Sequence, residues 1–194
     1  NNVEKAKAEL PFAGEMYLGH LRYSTTGKSG LSYVHPFLRR HNWKNRTMVL
    51  AGNFNLTNVD ELFDYLTLKG QHPRDKGDTF LMLESLGFTL DKEVQKEYDL
   101  LKQRYTNDRI ITQKIEENLR IASFIRKSEK MWDGGYAICG MLGHGDSFVF
   151  RDPKGIRPAF YYISDEIVVS ASERPVIQTA MNVKEEDVHE LLPG

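Results

Sequence analysis

The stretch GGYAICGM (residues 134–141) decides the fold, together with SFVF (147–150) just after it. Two more apolar and aromatic runs follow, AFYY (159–162) and IVV (167–169), and Gly-Asp, Pro-Lys-Gly and Ser-Asp-Glu turn signals separate the four. Short runs divided by tight turns predict an antiparallel β-meander. One short helix is predicted to follow, from Glu173 to Met181.

Upstream of these strands, from Thr57 to about Lys130, the pattern is helical. Apolar residues recur there at three- and four-residue spacing, which is typical of amphipathic helices. The positions are Val59, Leu62, Phe63 and Leu66, then Phe80, Leu83, Leu86 and Leu90, and then one further helix through Ile110, Ile111, Ile115, Leu119, Ala122 and Ile125.

The part of this region at 89–132 is highly charged and contains neither Gly nor Pro. Such a segment is either a pair of helices that cover a sheet and keep a solvated outer face, or a helical insertion that binds a partner. The first interpretation needs no further assumption and is preferred.

The N-terminal part has β-like runs at Met16–Leu18 and Thr47–Leu50, which enclose a Gly-, Ser- and Thr-rich loop from Ser24 to Ser32. Strands, then helices, then strands predict an α+β fold with helices layered on sheet faces.

Composition excludes several classes of protein. The 194 residues carry 26 Lys+Arg against 27 Asp+Glu, a net charge of −1, which gives no overall electrostatic reason to bind nucleic acid or anionic lipid. One cysteine cannot form an internal disulfide or a Cys-rich zinc site, which points to a reducing, cytoplasmic setting. No run approaches the ~20 apolar residues of a membrane span.

Residue 1 is Asn and not Met, so we expect the chain to be a piece of a longer one.

Two polar motifs lie at the ends of predicted strands. In GHLRYSTTG (19–27), Arg22 offers a planar fork suited to a carboxylate or phosphate, with hydroxyl residues beside it, although a structural arginine next to a polar turn has the same pattern. In GNFNLTN (52–58), an Asn side chain and a backbone N–H could face an oxyanion, whereas Thr57 or Asn58 could simply cap the next helix.

Two further motifs are ambiguous by themselves. In KGDT (76–79), Asp78 is either the N-cap of a helix or a carboxylate that accepts a substrate ammonium. The sequence RDPKGIRP (151–158) alone indicates only a tight turn between strands.

The order and spacing of the four motifs resemble the class II glutamine amidotransferase domain. GHLRYSTTG resembles the family's Gly-His-x-Arg-Tyr-x-Thr-x-Gly loop, GNFNLTN stands where the family has Asn-Gly-Asn-Leu, and Asp78-Thr79 matches its acidic-Thr pair. RDPKGIRP is the most specific element and resembles the form found in the purine-pathway branch, the amidophosphoribosyltransferases. The resemblance covers the chain from about Phe12 to Gly194.

The resemblance implies one type-2 glutamine amidotransferase domain over residues 1–194, with 89–132 as an insertion-like helical segment. It implies a four-layer αββα sandwich of the N-terminal-nucleophile-hydrolase class, with the first strands missing. In that family an N-terminal cysteine attacks the side-chain amide of glutamine, ammonia leaves, and water hydrolyses the thioester to glutamate.

The resemblance also implies a role for each matching residue. Arg22 would bind the α-carboxylate of glutamine, Thr25 and Thr26 would line the pocket, and Asp78 would bind the α-ammonium. The side-chain amide of Asn53 and the backbone N–H of Phe54 would form the oxyanion hole.

The chain departs from the family pattern at two points. Phe54 stands where the family usually has glycine, and its bulky side chain is expected to change the local conformation and narrow the site. No cysteine precedes GHLRYSTTG, and Cys139 lies in an apolar run, where a thiol is most simply a buried small hydrophobe. We therefore expect the chain as given not to hydrolyse glutamine.

The acceptor site for phosphoribosyl pyrophosphate, with its Mg²⁺, is expected in a C-terminal phosphoribosyltransferase domain beyond Gly194, and no cofactor is expected in this segment. The resemblance implies a homo-oligomer. The near-neutral charge and the lack of a long apolar run predict no nucleic-acid or membrane partner. Two alternatives remain open: an amidase without an acceptor, and a non-catalytic domain that binds an amino acid or a partner protein.

Overall fold

The computed structural model of the protein describes residues 5, 8–21 and 33–194. Seven strands and five α-helices lie within 33–194, together with 3-10 turns at Lys44–Arg46 and Glu185–Asp187. In chain order they are β1 (Phe37–Arg39), β2 (Met48–Leu56), α1 (Val59–Leu68), α2 (Asp78–Lys102), α3 (Asp108–Asn118), α4 (Ile121–Glu129), β3 (Gly134–Leu142), β4 (Ser147–Arg151), β5 (Phe160–Ile163), β6 (Val168–Ala171), α5 (Arg174–Met181) and β7 (His189–Glu190).

The larger sheet is antiparallel, with strand order β1-β2-β3-β4. Its centre is the pairing of β2 with β3, which runs from Met48 opposite Leu142 to Leu56 opposite Gly134. Since side chains alternate along a strand, Met48, Leu50 and Leu56 share one face, and all three are buried in the core. The predicted α+β class is confirmed.

The helices cover this apolar face. The 25-residue α2 packs on β1 and β2 and also contacts α1, α3 and α4. Its inward side chains are almost fully buried; they include Leu81, Met82, Leu86, Leu90 and Val94. No helix among the described residues is long and apolar enough to cross a membrane.

Arg39 joins β1 to the middle of α2. Its guanidinium binds Asp91 at 2.6 Å and Glu84 at 3.5 Å, and these two carboxylates lie two helical turns apart on one face of α2. Gly87 lies between them, where a Cβ atom would be 2.2 Å from Arg39 Nε. The glycine therefore makes room for the Arg39 guanidinium against the surface of the helix.

The single helix predicted through 110–125 is wrong, because the structure has two helices there. α3 ends at Asn118 and α4 begins at Ile121, with extended backbone at the two residues between them. At 100° per residue, Ile115 and Phe124 would lie on opposite sides of one continuous helix. Both are fully buried, and the break allows both to face the core.

The single meander predicted for the C-terminal strands is also wrong, because they form two sheets. The hairpins β3-β4 and β5-β6 are present, but β5 pairs with β6 and β7 in a second antiparallel sheet of order β6-β5-β7. The helix predicted from Glu173 to Met181 is confirmed as α5. The run Met16–Leu18 is not a strand.

The chain changes sheets at RDPKGIRP, and Asp152 organises the corner. Its fully buried carboxylate accepts hydrogen bonds from the backbone N–H groups of Tyr136, Lys154, Ile156 and Arg157 at 2.9 to 3.3 Å. Burial alone would raise the pKa of Asp152, but these four donors hold it below its ordinary value.

Arg151 fixes the second sheet to the same corner. Its guanidinium donates to the carboxylate of Glu190 at 2.7 Å, to the carbonyl of Leu191 at 2.9 Å and to the carbonyl of Gly155 at 2.6 Å. The side chain is almost completely buried. The consecutive residues Arg151 and Asp152 therefore link β4, the turn that follows it and β7.

We predict that Asp152→Asn lowers the free energy of unfolding at neutral pH by about 2–4 kcal/mol, because a charged acceptor of several buried N–H groups is lost. The folded-state pKa of Asp152 is lowered. Its contribution is therefore present above the unfolded pKa and is lost as pH falls through the folded one.

Urea denaturation from pH 7 down to pH 2 measures this effect. The difference between wild type and Asp152→Asn should shrink as the pH falls below about 4. Asp165→Asn is the matched control, since Asp165 is exposed in the β5-β6 turn. Equal stability of Asp152→Asn and Asp165→Asn at pH 7 would contradict the prediction.

Candidate functional site

The structure describes three of the six predicted site residues. Asn53 and Phe54 lie near the end of β2, and Asp78 is the first residue of α2. Arg22, Thr25 and Thr26 lie outside the described residues.

Asn53 lies on the sheet face opposite the helices. It pairs with Ala137 of β3, and the alternation of side chains places it on the same face as Ala51, away from Leu50 and Leu56. Its side chain is exposed and has no hydrogen-bond partner among the described residues. The amide can therefore donate to a bound molecule without breaking a contact in the described part of the chain.

The Phe54 side chain lies on the other face. Its ring is 5.5 Å from the ring of His35 and packs against the core. Its φ is not positive, and β2 continues through it to Leu56. The expected change of conformation is absent because an ordinary extended backbone accepts any residue, and the ring does not cover Asn53.

The backbone N–H of Phe54 points toward the β1 edge of β2. In an antiparallel strand, residues two apart present their N–H groups to the same edge. The N–H of Gly52 donates to Nδ1 of His35 at 3.3 Å on this edge. The described pairing with β1 ends at Phe37 opposite Leu50. The Phe54 N–H thus lies beyond the described end of β1, one residue after Asn53 in the chain.

Asp78 occupies the first turn of α2, where the helix dipole favours a negative charge. The N-cap position belongs to Gly77, so the alternative that Asp78 is the cap residue is wrong. The Gly77 N–H donates to Asp75 at 2.8 Å, and the Thr79 N–H donates to Asp78 at 3.2 Å. The Asp78 carboxylate is half-buried.

His35 connects the two parts of the site, and sequence reasoning missed it. Its Nε2 lies 3.3 Å from the hydroxyl of Thr79, and its Nδ1 accepts from Gly52. These partners follow Asp78 and precede Asn53 directly in the chain. The dipeptide His35-Pro36 before a β-run gives no local signal that the ring would bridge a strand and a helix.

The corner after β2 is tied to the loop before β3. The Thr57 N–H and hydroxyl donate to the carbonyl and carboxylate of Asp133, each at 2.8 Å. The Asn58 amide donates to the carbonyl of Met131 and accepts from the Asp133 N–H. Asn58 occupies the N-cap position of α1 without a capping side-chain bond, so its amide instead holds the end of β2.

Cys139 lies in β3, opposite Ala51, and is partly buried. Burial raises the pKa of its thiol, although a hydrogen bond with Ser170 opposes the shift. A raised pKa disfavours the thiolate that a nucleophilic cysteine requires.

The curated proteins that this chain matches include several amidophosphoribosyltransferases. No protein-family model matches the chain. The amidophosphoribosyltransferase of Escherichia coli is 31% identical over 160 residues, which are 81% of this chain and 27% of that protein. The enzyme of Saccharomyces cerevisiae is 31% identical over 150 residues, 77% of this chain and 25% of that protein. The chain thus spans about a quarter of the curated relatives it matches.

Solved structures agree with these relatives. Glutamine phosphoribosylpyrophosphate amidotransferase from Bacillus subtilis, complexed with ADP and GMP, has a TM-score of 0.60 and 25% identity, covering 90% of this chain and 30% of that one. An allosteric regulatory enzyme of purine biosynthesis has the same fold, with a TM-score of 0.61, 24% identity and coverage of 90% and 31%.

We predict that Gly52→Ala destabilises the protein by about 1–3 kcal/mol, because overpacking displaces backbone that cannot yield. A Cβ atom at Gly52 would lie 2.3 Å from the carbonyl oxygen of Ala137 in β3. Urea denaturation measures the loss. Gly19→Ala is the control, since a Cβ there meets nothing within 4 Å. A Gly52→Ala protein as stable as the control would contradict the prediction.

Proposed function

Since the chain is amidophosphoribosyltransferase-like in sequence and in fold, we propose that it is the glutaminase domain of such an enzyme. The observation that carries the proposal is a pair of donors near the end of β2: the exposed amide of Asn53, which has no hydrogen-bond partner among the described residues, and the N–H of Phe54, which lies beyond the described pairing with β1. Two donors side by side are suited to a developing oxyanion.

The proposed reaction converts glutamine and water to glutamate and ammonia. A cysteine thiolate adds to the side-chain amide carbon, and the carbonyl oxygen becomes an oxyanion held by Asn53 and Phe54. The C–N bond then breaks and the protonated nitrogen leaves as ammonia. Water hydrolyses the thioester, which returns the thiol and releases glutamate.

The nucleophile in this proposal is an N-terminal cysteine of a longer parent chain, whose own α-amino group is the base. Cys139, with its raised thiol pKa, does not take this role. The 194 residues alone are proposed not to hydrolyse glutamine.

Recognition of the amino acid uses the other predicted residues. Asp78 binds the α-ammonium, and its position in the first turn of α2 keeps its charge favourable in the absence of substrate. Arg22 binds the α-carboxylate, and Thr25 and Thr26 line the pocket. The charged ends of glutamine are thus held by opposite charges, which orients the side-chain amide toward Asn53.

The parent enzyme is proposed to pass the ammonia to phosphoribosyl pyrophosphate, with Mg²⁺, in a C-terminal phosphoribosyltransferase domain. This would be a transferase step of purine biosynthesis in the cytoplasm, carried out by a homo-oligomer. The proposed fold of the complete domain is a four-layer αββα sandwich, and the helical layer on the β1-β4 sheet supports it.

A second candidate is a non-catalytic domain that binds an amino acid or a partner protein on the same fold. One observation favours it: Cys139 is the only cysteine in the 194 residues, and its thiol is disfavoured as a nucleophile. Ammonia release by the full-length parent, lost when its N-terminal cysteine is changed to Ala, would exclude this candidate.

We predict that Asn53→Ala in the full-length parent lowers kcat for glutamine hydrolysis by roughly 10²–10³, because one oxyanion donor is removed. Ammonia release measures the rate. Asn55→Ala is the matched control, since Asn55 lies two residues further on the same strand face and is also exposed. An unchanged rate in Asn53→Ala would refute its role as a donor.

We predict that Asp78→Asn raises KM for glutamine by about 10- to 100-fold, because a charge-assisted bond to the ammonium is lost. The effect on kcat should be smaller, since the ammonium is remote from the reacting amide. Asp64→Asn, at an exposed position of α1, is the control. Normal saturation of Asp78→Asn by glutamine would count against the assignment.

A further inference from the structure

We propose that His35 is a positioning residue. Its neutral imidazole fixes the edge of β2 that carries the Gly52 and Phe54 N–H groups relative to the N-terminus of α2. The inference rests on the proposed function for its catalytic consequence. The contact itself is a structural feature that can be measured independently of any activity.

The hydrogen bonds of the ring define its protonation state. A backbone N–H can only donate, so Nδ1 of His35 must carry a lone pair where it receives the Gly52 N–H at 3.3 Å. The proton of the neutral ring is then on Nε2, which lies 3.3 Å from the Thr79 hydroxyl and donates to it. One planar group is thus an acceptor for the strand and a donor for the helix.

The ring has little freedom to move. His35 is 7% exposed, and its ring centroid is 4.8 Å from that of Phe37 and 5.5 Å from that of Phe54. His20 packs against it with ring centroids 4.4 Å apart. Aromatic neighbours from β1 and β2 therefore hold the ring at the angle that both hydrogen bonds need.

The two partners are next to the residues that the proposal assigns to glutamine. Gly52 precedes Asn53, and its N–H lies on the same strand edge as that of Phe54. Thr79 follows Asp78 in the first turn of α2. A fixed His35 thus sets the distance between the oxyanion donors and the ammonium acceptor. A misplacement of about 1 Å between such groups can cost roughly 10²-fold in rate.

Two substitutions separate the hydrogen bonds from the packing. His35→Gln offers an amide oxygen as the acceptor and an amide N–H as the donor, so it can keep both contacts. His35→Phe keeps an aromatic ring among Phe37 and Phe54 but has neither donor nor acceptor. Thr79→Val removes only the helix side of the link.

The first measurement is amide hydrogen exchange in the 194-residue chain. We expect the Gly52 N–H to exchange about tenfold faster in His35→Phe, because its acceptor is gone, and within about threefold of wild type in His35→Gln. The N–H of Ile138 in β3 is the internal reference. Unchanged Gly52 exchange in His35→Phe would overturn the inference.

The second measurement is glutaminase activity of the full-length parent. We expect kcat/KM to fall by about 10- to 100-fold in His35→Phe and to stay within about threefold of wild type in His35→Gln. Thr79→Val should raise KM more than it lowers kcat. A histidine that only filled space in the core would be replaced by Phe without loss of kcat/KM, so a loss in His35→Phe that is restored in His35→Gln reports the two hydrogen bonds.

The two measurements distinguish the possible failures. An inactive wild-type parent would refute the proposed function, and the exchange of Gly52 would still decide whether His35 holds the strand. An active parent in which His35→Phe retains full kcat/KM would overturn the inference and leave the proposed function standing. If His35→Phe does not fold, equal kcat and KM in Thr79→Val and wild type overturn the inference.

Discussion

Nine consecutive residue pairs join β2 to β3, from Met48 opposite Leu142 to Leu56 opposite Gly134. This register sends Leu50 and Leu56 to the helices and Asn53 to the other face of the sheet. A shift by one residue would exchange the two faces and place Asn53 in the core. The pairing also uses the edge of β2 that faces β3. His35 contacts β2 at the opposite edge, to which the Phe54 N–H also points.

The sequence motif that resembles the family most closely is an architectural element in this structure. Asp152 collects four backbone N–H groups and Arg151 holds the second sheet through Glu190, Leu191 and Gly155. Neither side chain is free to meet a substrate. A motif can therefore identify a family because the fold requires it, while the proposed chemistry belongs to more ordinary residues such as Asn53 and Asp78.

Local patterns predicted the parts of the fold that depend on local spacing. The four-residue spacing of Leu62 and Leu66, and of Leu86 and Leu90, predicted α1 and α2, because residues about one helical turn apart face the same side. The break between α3 and α4 was missed because Ile110 to Ile125 keeps an acceptable helical period. The division into two sheets depends on Asp152 and Arg151, whose partners at Tyr136 and Glu190 are remote in sequence.

The candidate site was predictable to a similar extent. Resemblance selected Asn53, Phe54 and Asp78, but it gave no sign that the Phe54 ring lies opposite Asn53. The role of His35 depends on residues 17 and 44 positions away. No local pattern contains such contacts, because they exist only once the strand and the helix have packed together.

The contacts of α2 with Arg39 and His35 have a consequence for how this domain can vary. A rigid rod fixed at two points has a fixed direction, and α2 is held at its N-terminus by Thr79 and near its middle by Glu84 and Asp91. Beyond Asp91 the helix stays in the core, because Val94 and Leu101 are buried. The exposed connection that follows Leu101 is therefore where the chain can change in length without moving Asp78.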